Sequence, residues 1–291
     1  MTQLQSNTKQ ETQYDKIGAA YLDAQQQFYL PRNDWARDFV RTPVFAHKKY
    51  KILDLGCGAG NDIAFFESRG HTVFGIDESS YMLDRAKKVV RKPERLQHGG
   101  IEQLCHLYFQ NRGFFSEGLW GDFDYIFARY SLHYTSDDID ELFQGVHFAL
   151  KDNGVFAFVV PNPIADVPFT DTKNYATAKK VKLSIFNDTV QIEYPFRKTE
   201  ELLTPYFQEF FRIQQIEPYT DGYAGASAFP AALAVVAQKP ISKYSLWREA
   251  VVETCIETDI MKSFNRRRRL VRAGKPDEHP DDWNNLLSAS K

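Results

Sequence analysis

Gly56-Cys57-Gly58-Ala59-Gly60 lies between the apolar run Ile52-Leu53-Asp54-Leu55 and a second run, Val73-Phe74-Gly75-Ile76-Asp77. Few folds accept that order. It reads as a strand, a glycine turn, a helix and a second strand that ends in a carboxylate. Glycines at alternate positions let the backbone turn sharply and leave no side chain between the main chain and a bound nucleoside. Asp77 then stands where a carboxylate accepts two ribose hydroxyls. Dinucleotide-binding units share this logic, so the discriminating residue is Asp54. An acid inside the first strand, just before the first glycine, suits a ligand carrying positive charge better than a pyrophosphate.

Asp54-Leu55-Gly56-Cys57-Gly58-Ala59-Gly60 resembles motif I of the class I S-adenosylmethionine-dependent methyltransferases, and Asp77-Glu78-Ser79-Ser80-Tyr81-Met82-Leu83 resembles its continuation. The resemblance runs over roughly residues 14 to 238. It implies that Asp54, Gly56, Cys57 and Gly58 hold the methionine part of S-adenosylmethionine, whose amino group and sulfonium are cationic. It further implies that Asp77, with Glu78 beside it, binds the ribose and that Met82 packs near the adenine. Tyr14-Asp15-Lys16-Ile17-Gly18-Ala19-Ala20-Tyr21 resembles the N-terminal segment of small-molecule members, which folds across the cofactor. One helix face carries both Tyr14 and Tyr21. The other reading of these two tyrosines, as half-buried core residues, stays open. Many relatives place an aspartate after the third strand to meet the adenine amino group; this chain offers Gln110 or Asn111, and counting back from Phe123-Asp124 makes Asn111 the equivalent.

A chain of 291 residues with 43% hydrophobic and 14% aromatic residues can bury one large α/β core or two smaller ones, and is read as one domain with additions. The formal net charge of -2 gives no overall positive field for nucleic acid or an anionic membrane, which favours a small-molecule substrate. Cys57, Cys105 and Cys255 lie far apart, with no zinc or disulfide spacing, so a reducing cytoplasm is the expected setting. No leader segment is read at the start, and no stretch approaches the ~20 apolar residues of a membrane span. A monomer or homodimer is expected.

The expected architecture is α/β: a Rossmann-like, seven-stranded, mostly parallel sheet with helices on both faces, an inserted β-hairpin lid and a C-terminal helical extension. Residues 1 to 13 read as disordered, 14 to 240 as the methyltransferase domain, and 241 to 291 as the extension. Two helices are expected between Tyr14 and Val40, one from Asp62 to Gly70, and one capped by Ser79 or Ser80 running through Val90. Arg91 to Gly100 reads as a connector, His106 to Asn111 as the third strand, Asp124 to Arg129 as the fourth and Val155 to Val160 as the fifth. Within the 161 to 200 insertion, Val181 to Ile185 and Val190 to Tyr194 form the lid hairpin. Phe211 to Ile216 and Ala231 to Ala237 complete the sheet as an antiparallel pair, the pairing that the resemblance implies.

Tyr130-Ser131-Leu132-His133-Tyr134 follows the fourth strand, at the end where open α/β sheets place their chemistry. The resemblance implies that the backbone at Ala128 and Arg129 passes beside the cofactor. His133 is the candidate general base and Tyr134 a candidate substrate-orienting residue, with backbone bonding and aromatic packing as their bland alternatives. A carboxylic acid or thiol acceptor needs little or no base. No histidine has metal-ligand spacing, and no metal is expected. The leading expectation is methyl transfer from S-adenosylmethionine to a small molecule, at oxygen or nitrogen rather than carbon. Two rivals stay open: an RNA or protein methyltransferase using the Arg266-Arg267-Arg268-Arg269 run, and a non-catalytic cofactor-binding protein.

Overall fold

The computed structural model describes residues 11–28, 35–41, 48–104, 121, 123–135, 139–161, 180–185, 190–195, 203, 205–219 and 232–240. Asn111 and the arginine run with its C-terminal extension lie outside the described residues. So do residues 106 to 111, 162 to 179 and 186 to 189.

Two helices, α1 (Gln13–Phe28) and α2 (Trp35–Arg41), precede a strand-helix alternation: β1 (Lys51–Leu55), α3 (Asn61–Ser68), β2 (Thr72–Asp77), α4 (Ser80–Ala86), β3 (Leu96–His98), β4 (Phe123–Arg129), α5 (Ile139–Ala149) and β5 (Leu150–Pro161). Then come β6 (Lys180–Ile185), β7 (Val190–Pro195), α6 (Pro205–Phe210), β8 (Arg212–Tyr219) and β9 (Ala232–Gln238). The main sheet has seven strands in the order β3-β2-β1-β4-β5-β9-β8. β1 to β5 pair in parallel with their neighbours, while β9 runs antiparallel to both β5 and β8. Among the described strands only β9 is therefore reversed within the sheet.

The strands are apolar on both faces because helices cover both. Along β4 and β5 successive side chains alternate, as the pleat requires. Ile126, Ala128, Phe156 and Phe158 join one core with Phe143, Phe207 and Phe211. Tyr125, Phe127, Val155 and Ala157 join the other with Phe39, Ile63 and Phe66. Leu53 and Leu55 of β1 enter the first core and Ile52 the second, so period-2 alternation puts Asp54 on the face covered by α2 and α3.

A strand stands where a connector is expected, while the expected third strand at 106 to 111 lies outside the described residues. The third parallel strand is Leu96–His98, pairing with the end of β2 from Gly75 to Asp77, inside the segment read as a connector. A three-residue edge strand with polar Gln97 and His98 carries too little apolar alternation to announce itself. The expected hairpin is present as a separate two-stranded sheet, in the register Ile185↔Val190 to Lys180↔Pro195. Among the described residues no helix is long and apolar enough to cross a membrane.

Gly75 sits mid-strand in β2 where a Cβ would press on the Ile63 side chain and lie 2.9 Å from Cys57 Sγ. Gly75→Ala should therefore cost about 1–3 kcal/mol by overpacking, read from urea unfolding. Adding Ile63→Val should recover part of it.

Candidate functional site

The strand order reverses between β1 and β4, the position at which open α/β sheets open a crevice at their carboxyl ends. The glycine turn leaves β1 there. Gly56 and Cys57 both donate their amides to the Ile76 carbonyl, at 2.8 and 3.0 Å, which closes the turn onto β2. Gly56 has φ 74°, and a Cβ there would collide with that of Ser131. Ser131, just past β4, donates its hydroxyl to the Leu55 carbonyl, so the two strand ends touch at that glycine. Gly58 has φ 52°, and a Cβ there would meet nothing within 4 Å. The loop thus presents bare main chain to open space on that side, which is the form a nucleoside-binding turn needs.

Asp77 ends β2 beside this loop. Its Oδ2 accepts from Gly58 N at 2.8 Å and its Oδ1 from Ser79 N at 2.9 Å. Each carboxylate oxygen has two lone pairs, so each keeps one acceptor site for a further donor. Burial is the dominant influence on this group and lifts its pKa to about 6, against the lowering effect of the two amides. Glu78 is solvent-exposed; partial desolvation and the nearby Glu102 charge raise its pKa. Met82 is buried, its amide donating to Ser79 Oγ at 3.2 Å.

Asp54 is only 3% exposed. Burial and the neighbouring Asp62 charge push its pKa well up. Asp62, at the start of α3, is the ionised member. Burial opposes its charge too, but Arg129 and Arg41 outweigh burial and hold the pKa below the ordinary carboxylate value. Arg41 Nε donates to Asp62 Oδ1 at 2.6 Å and Arg129 Nε to Oδ2 at 2.9 Å. Asp62 and Arg41 are site residues that sequence reading missed. An acid in the first turn of a helix looks like ordinary dipole compensation, and only the fold brings Arg41 to it. The Arg129 side chain is thereby committed to Asp62, while Ala128 is fully buried in the first core. Cys57 is buried as well. Burial, followed by the Asp77 and Asp54 charges, raises its thiol well above the normal value, so it stays protonated and unreactive.

Tyr14 and Tyr134 share a hydroxyl–hydroxyl hydrogen bond of 2.9 Å, and Tyr14 lies near enough to Asp77 to feel its charge. Tyr14 is edge-on to both Tyr21, at 5.3 Å between centroids, and Tyr134, at 5.6 Å. Burial chiefly raises the pKa of both Tyr14 and Tyr134, keeping them neutral hydrogen-bonding groups. Ile17, Tyr21, Ala24 and Tyr134 pack with Val190 and Ile192 of the hairpin, forming a third apolar cluster apart from the two cores. His133 is 5% exposed and stacks obliquely on Tyr134 at 4.0 Å; burial lowers its pKa to about 3. The structure therefore brings Tyr14, Tyr21, His133 and Tyr134 into one group and Asp54, Gly56, Cys57, Gly58 and Asp77 into another. Directly after β3 come Gly99 to Leu104, with the Glu102 carboxylate lying where a side chain at Gly100 would begin.

Residues 53–156 match the family model described as a methyltransferase domain. Among curated proteins, an uncharacterized protein of Haemophilus influenzae is 33% identical over 118 residues, spanning 40% of this chain and 44% of that protein. A Synechocystis protein named as an uncharacterized methyltransferase is 36% identical over 110 residues, 38% of this chain and 46% of its own length. The chain thus spans less than half the length of the curated relatives it matches. An S-adenosylmethionine dependent methyltransferase of Mesorhizobium loti superposes with a TM-score of 0.53 over 71% of this chain and 99% of its own, at 20% identity. One from Clostridium acetobutylicum gives 0.52 over 79% and 100%, at 18% identity. At such identities the superpositions establish a shared fold.

The Asp77 shift has a definite sign. A carboxyl whose folded pKa is raised contributes stability that is complete below its unfolded value of 3.8 and lost as pH rises through about 6. Without added ligand, wild type measured against Asp77→Asn should lose about 2–3 kcal/mol of relative stability between pH 4 and 7. Paired urea titrations across that range measure it, and a flat difference would contradict the shift.

Proposed function

We propose that this chain, whose residues 53–156 match a methyltransferase domain, is a class I S-adenosylmethionine-dependent methyltransferase that moves a methyl group from that cofactor to a small organic acceptor, at oxygen or nitrogen. The observation that carries the cofactor half is the bare main chain at Gly58 set between two enclosed acids, Asp54 and Asp77. A cationic nucleoside matches that surface. In this reading Asp77 receives the ribose hydroxyls on its remaining lone pairs, Glu78 stands at the ribose edge, and Met82 backs the adenine side. Asp54 and the turn from Gly56 to Gly58 take the charged amino-acid end, beside the backbone at Ala128 and Arg129. When bound, the cofactor supplies a methyl already activated by its sulfonium.

What the chain's own residues do is bind, align and keep water out. Burial and the Asp62 charge raise the Asp54 pKa, and a bound cation would act in the opposite direction by favouring the ionised form. Arg41 and Arg129 fix the Asp62 charge beside it. Tyr14 and Tyr21 close the wall above the crevice, and the β6–β7 hairpin seals the same cluster as a lid.

His133 and Tyr134 are assigned to the acceptor side. His133 is neutral at working pH and able to accept a proton, yet a conjugate acid near pKa 3 makes it a weak base. An acceptor that already offers a lone pair, such as a carboxylate or a neutral amine, suits this wall best. An aromatic and aliphatic wall of Tyr14, Tyr21, Tyr134, Val190 and Ile192 also favours a small organic molecule over a polyanion. The free, buried Cys57 thiol accords with a cytoplasmic setting.

The test is thermal. S-adenosylmethionine at a hundredfold excess over its dissociation constant should add about 2.7 kcal/mol of stability, seen as a rise in Tm. Asp77→Ala should lose most of that rise while remaining folded. A folded wild type that shows no shift refutes the reading. A metabolite screen for formation of the demethylated cofactor then identifies the acceptor.

A further inference from the structure

The first turn of α1 reaches three other elements through three consecutive residues. Gln13 Oε1 accepts from Glu193 N of the hairpin at 3.0 Å, Tyr14 shares its hydroxyl bond with Tyr134 after β4, and Asp15 reaches the start of α4. Successive helical residues are turned about 100° from one another, so such neighbours serve three directions at once. Asp15 does the most. Its Oδ1 accepts from Ser79 Oγ at 2.9 Å, Ser80 Oγ at 3.1 Å and Tyr81 N at 3.0 Å. Its Oδ2 accepts from Thr12 N and Thr12 Oγ1 at 3.0 and 2.9 Å, while Thr12 Oγ1 accepts from Asp15 N at 3.2 Å, a reciprocal cap on α1 itself.

The second contact is steric. Gly18, nearly one turn further along, lies so close to the Tyr81 ring that a Cβ would press into it. Arg85 also holds the ring, its guanidinium donating to the Tyr81 hydroxyl at 2.9 Å. α1 is thus seated on the Ser79–Tyr81 turn by a carboxylate and a glycine. That turn is part of the nucleoside wall, because the Ser79 amide also holds Asp77.

We infer that Asp15 is a positioning residue: it clasps α1 to the Ser79–Tyr81 turn and so sets Tyr14 and Tyr21 over the crevice, coupling occupation of the nucleoside wall to closure of the acceptor wall. This rests on the proposed cofactor site. Asp15 itself touches neither ligand. Its loss should act on how long the site stays shut more than on whether the glycine turn can bind.

The probe is S-adenosylhomocysteine on the full chain, followed by stopped-flow dissociation and amide hydrogen exchange. In wild type the ligand should protect both residues 13–24 and the turn at 55–61. In Asp15→Ala dissociation should be about tenfold faster or more, as expected for losing several charge-assisted bonds. Protection of 13–24 should then be lost while that of 55–61 persists. Gly18→Ala, which keeps every Asp15 partner, should reproduce this phenotype, and adding Tyr81→Ala to it should restore protection of 13–24 by removing the ring it strikes. A general loss of folding would not be rescued in that way. Should Asp15→Ala not fold, Gly18→Ala and its rescue carry the test. A wild-type dissociation rate and protection pattern in Asp15→Ala or Gly18→Ala overturns the clasp alone. No binding by wild type overturns the proposed cofactor site and the clasp with it.

Discussion

The site depends on the Asp77 carboxylate, which accepts one amide from the glycine turn and another from the start of α4. Those amides leave β1 and β2 at neighbouring points of the sheet, and without a shared acceptor each would need another partner. A single carboxylate therefore sets the separation of two loops and keeps lone pairs available for a further donor. The cost is a negative charge held where solvent screens it poorly. Protein that would otherwise be more stable with this group protonated gains a surface complementary to a cation.

The second acid pair resolves the same tension differently. Asp62 keeps its charge because arginines from α2 and from the end of β4 bond both of its oxygens. A buried ion group of this kind adds little net stability. It does fix geometry: α2, α3 and the end of β4 are joined at one carboxylate, directly behind Asp54. The fold itself thereby fixes a charge near Asp54, an arrangement that under the proposed function would spare reorganisation during the reaction.

The parts of this site legible in the sequence are those where chemistry and backbone demand the same residue type. A turn that needs positive φ at Gly56 and open space at Gly58 must use glycine, and two interior acids in neighbouring strands have few bland explanations. The continuous apolar runs of β4 and β5 declare a sheet covered on both faces. β3 stayed hidden because it is short, polar and at the edge. Asp62 with Arg41 and Arg129 was hidden for another reason: the partners stand 21 and 67 residues from the acid, and each alone reads as a solvated charge. Asp15 was not legible: it lay inside the Tyr14–Tyr21 segment, but nothing local says that its carboxylate both caps its own helix and serves another.

The hairpin of β6 and β7 forms a sheet of its own, and β7 meets α1 and the turn after β4 through side chains such as Val190 and Ile192. Its strands bond to each other, so the seven-stranded scaffold does not depend on its ladder for any backbone partner. An appendage hydrogen-bonded in this self-contained way can be lengthened, exchanged or re-lettered at low risk to folding. Under the proposed function, variation in this hairpin would alter which guests are accepted while the residues around Asp77 stay untouched.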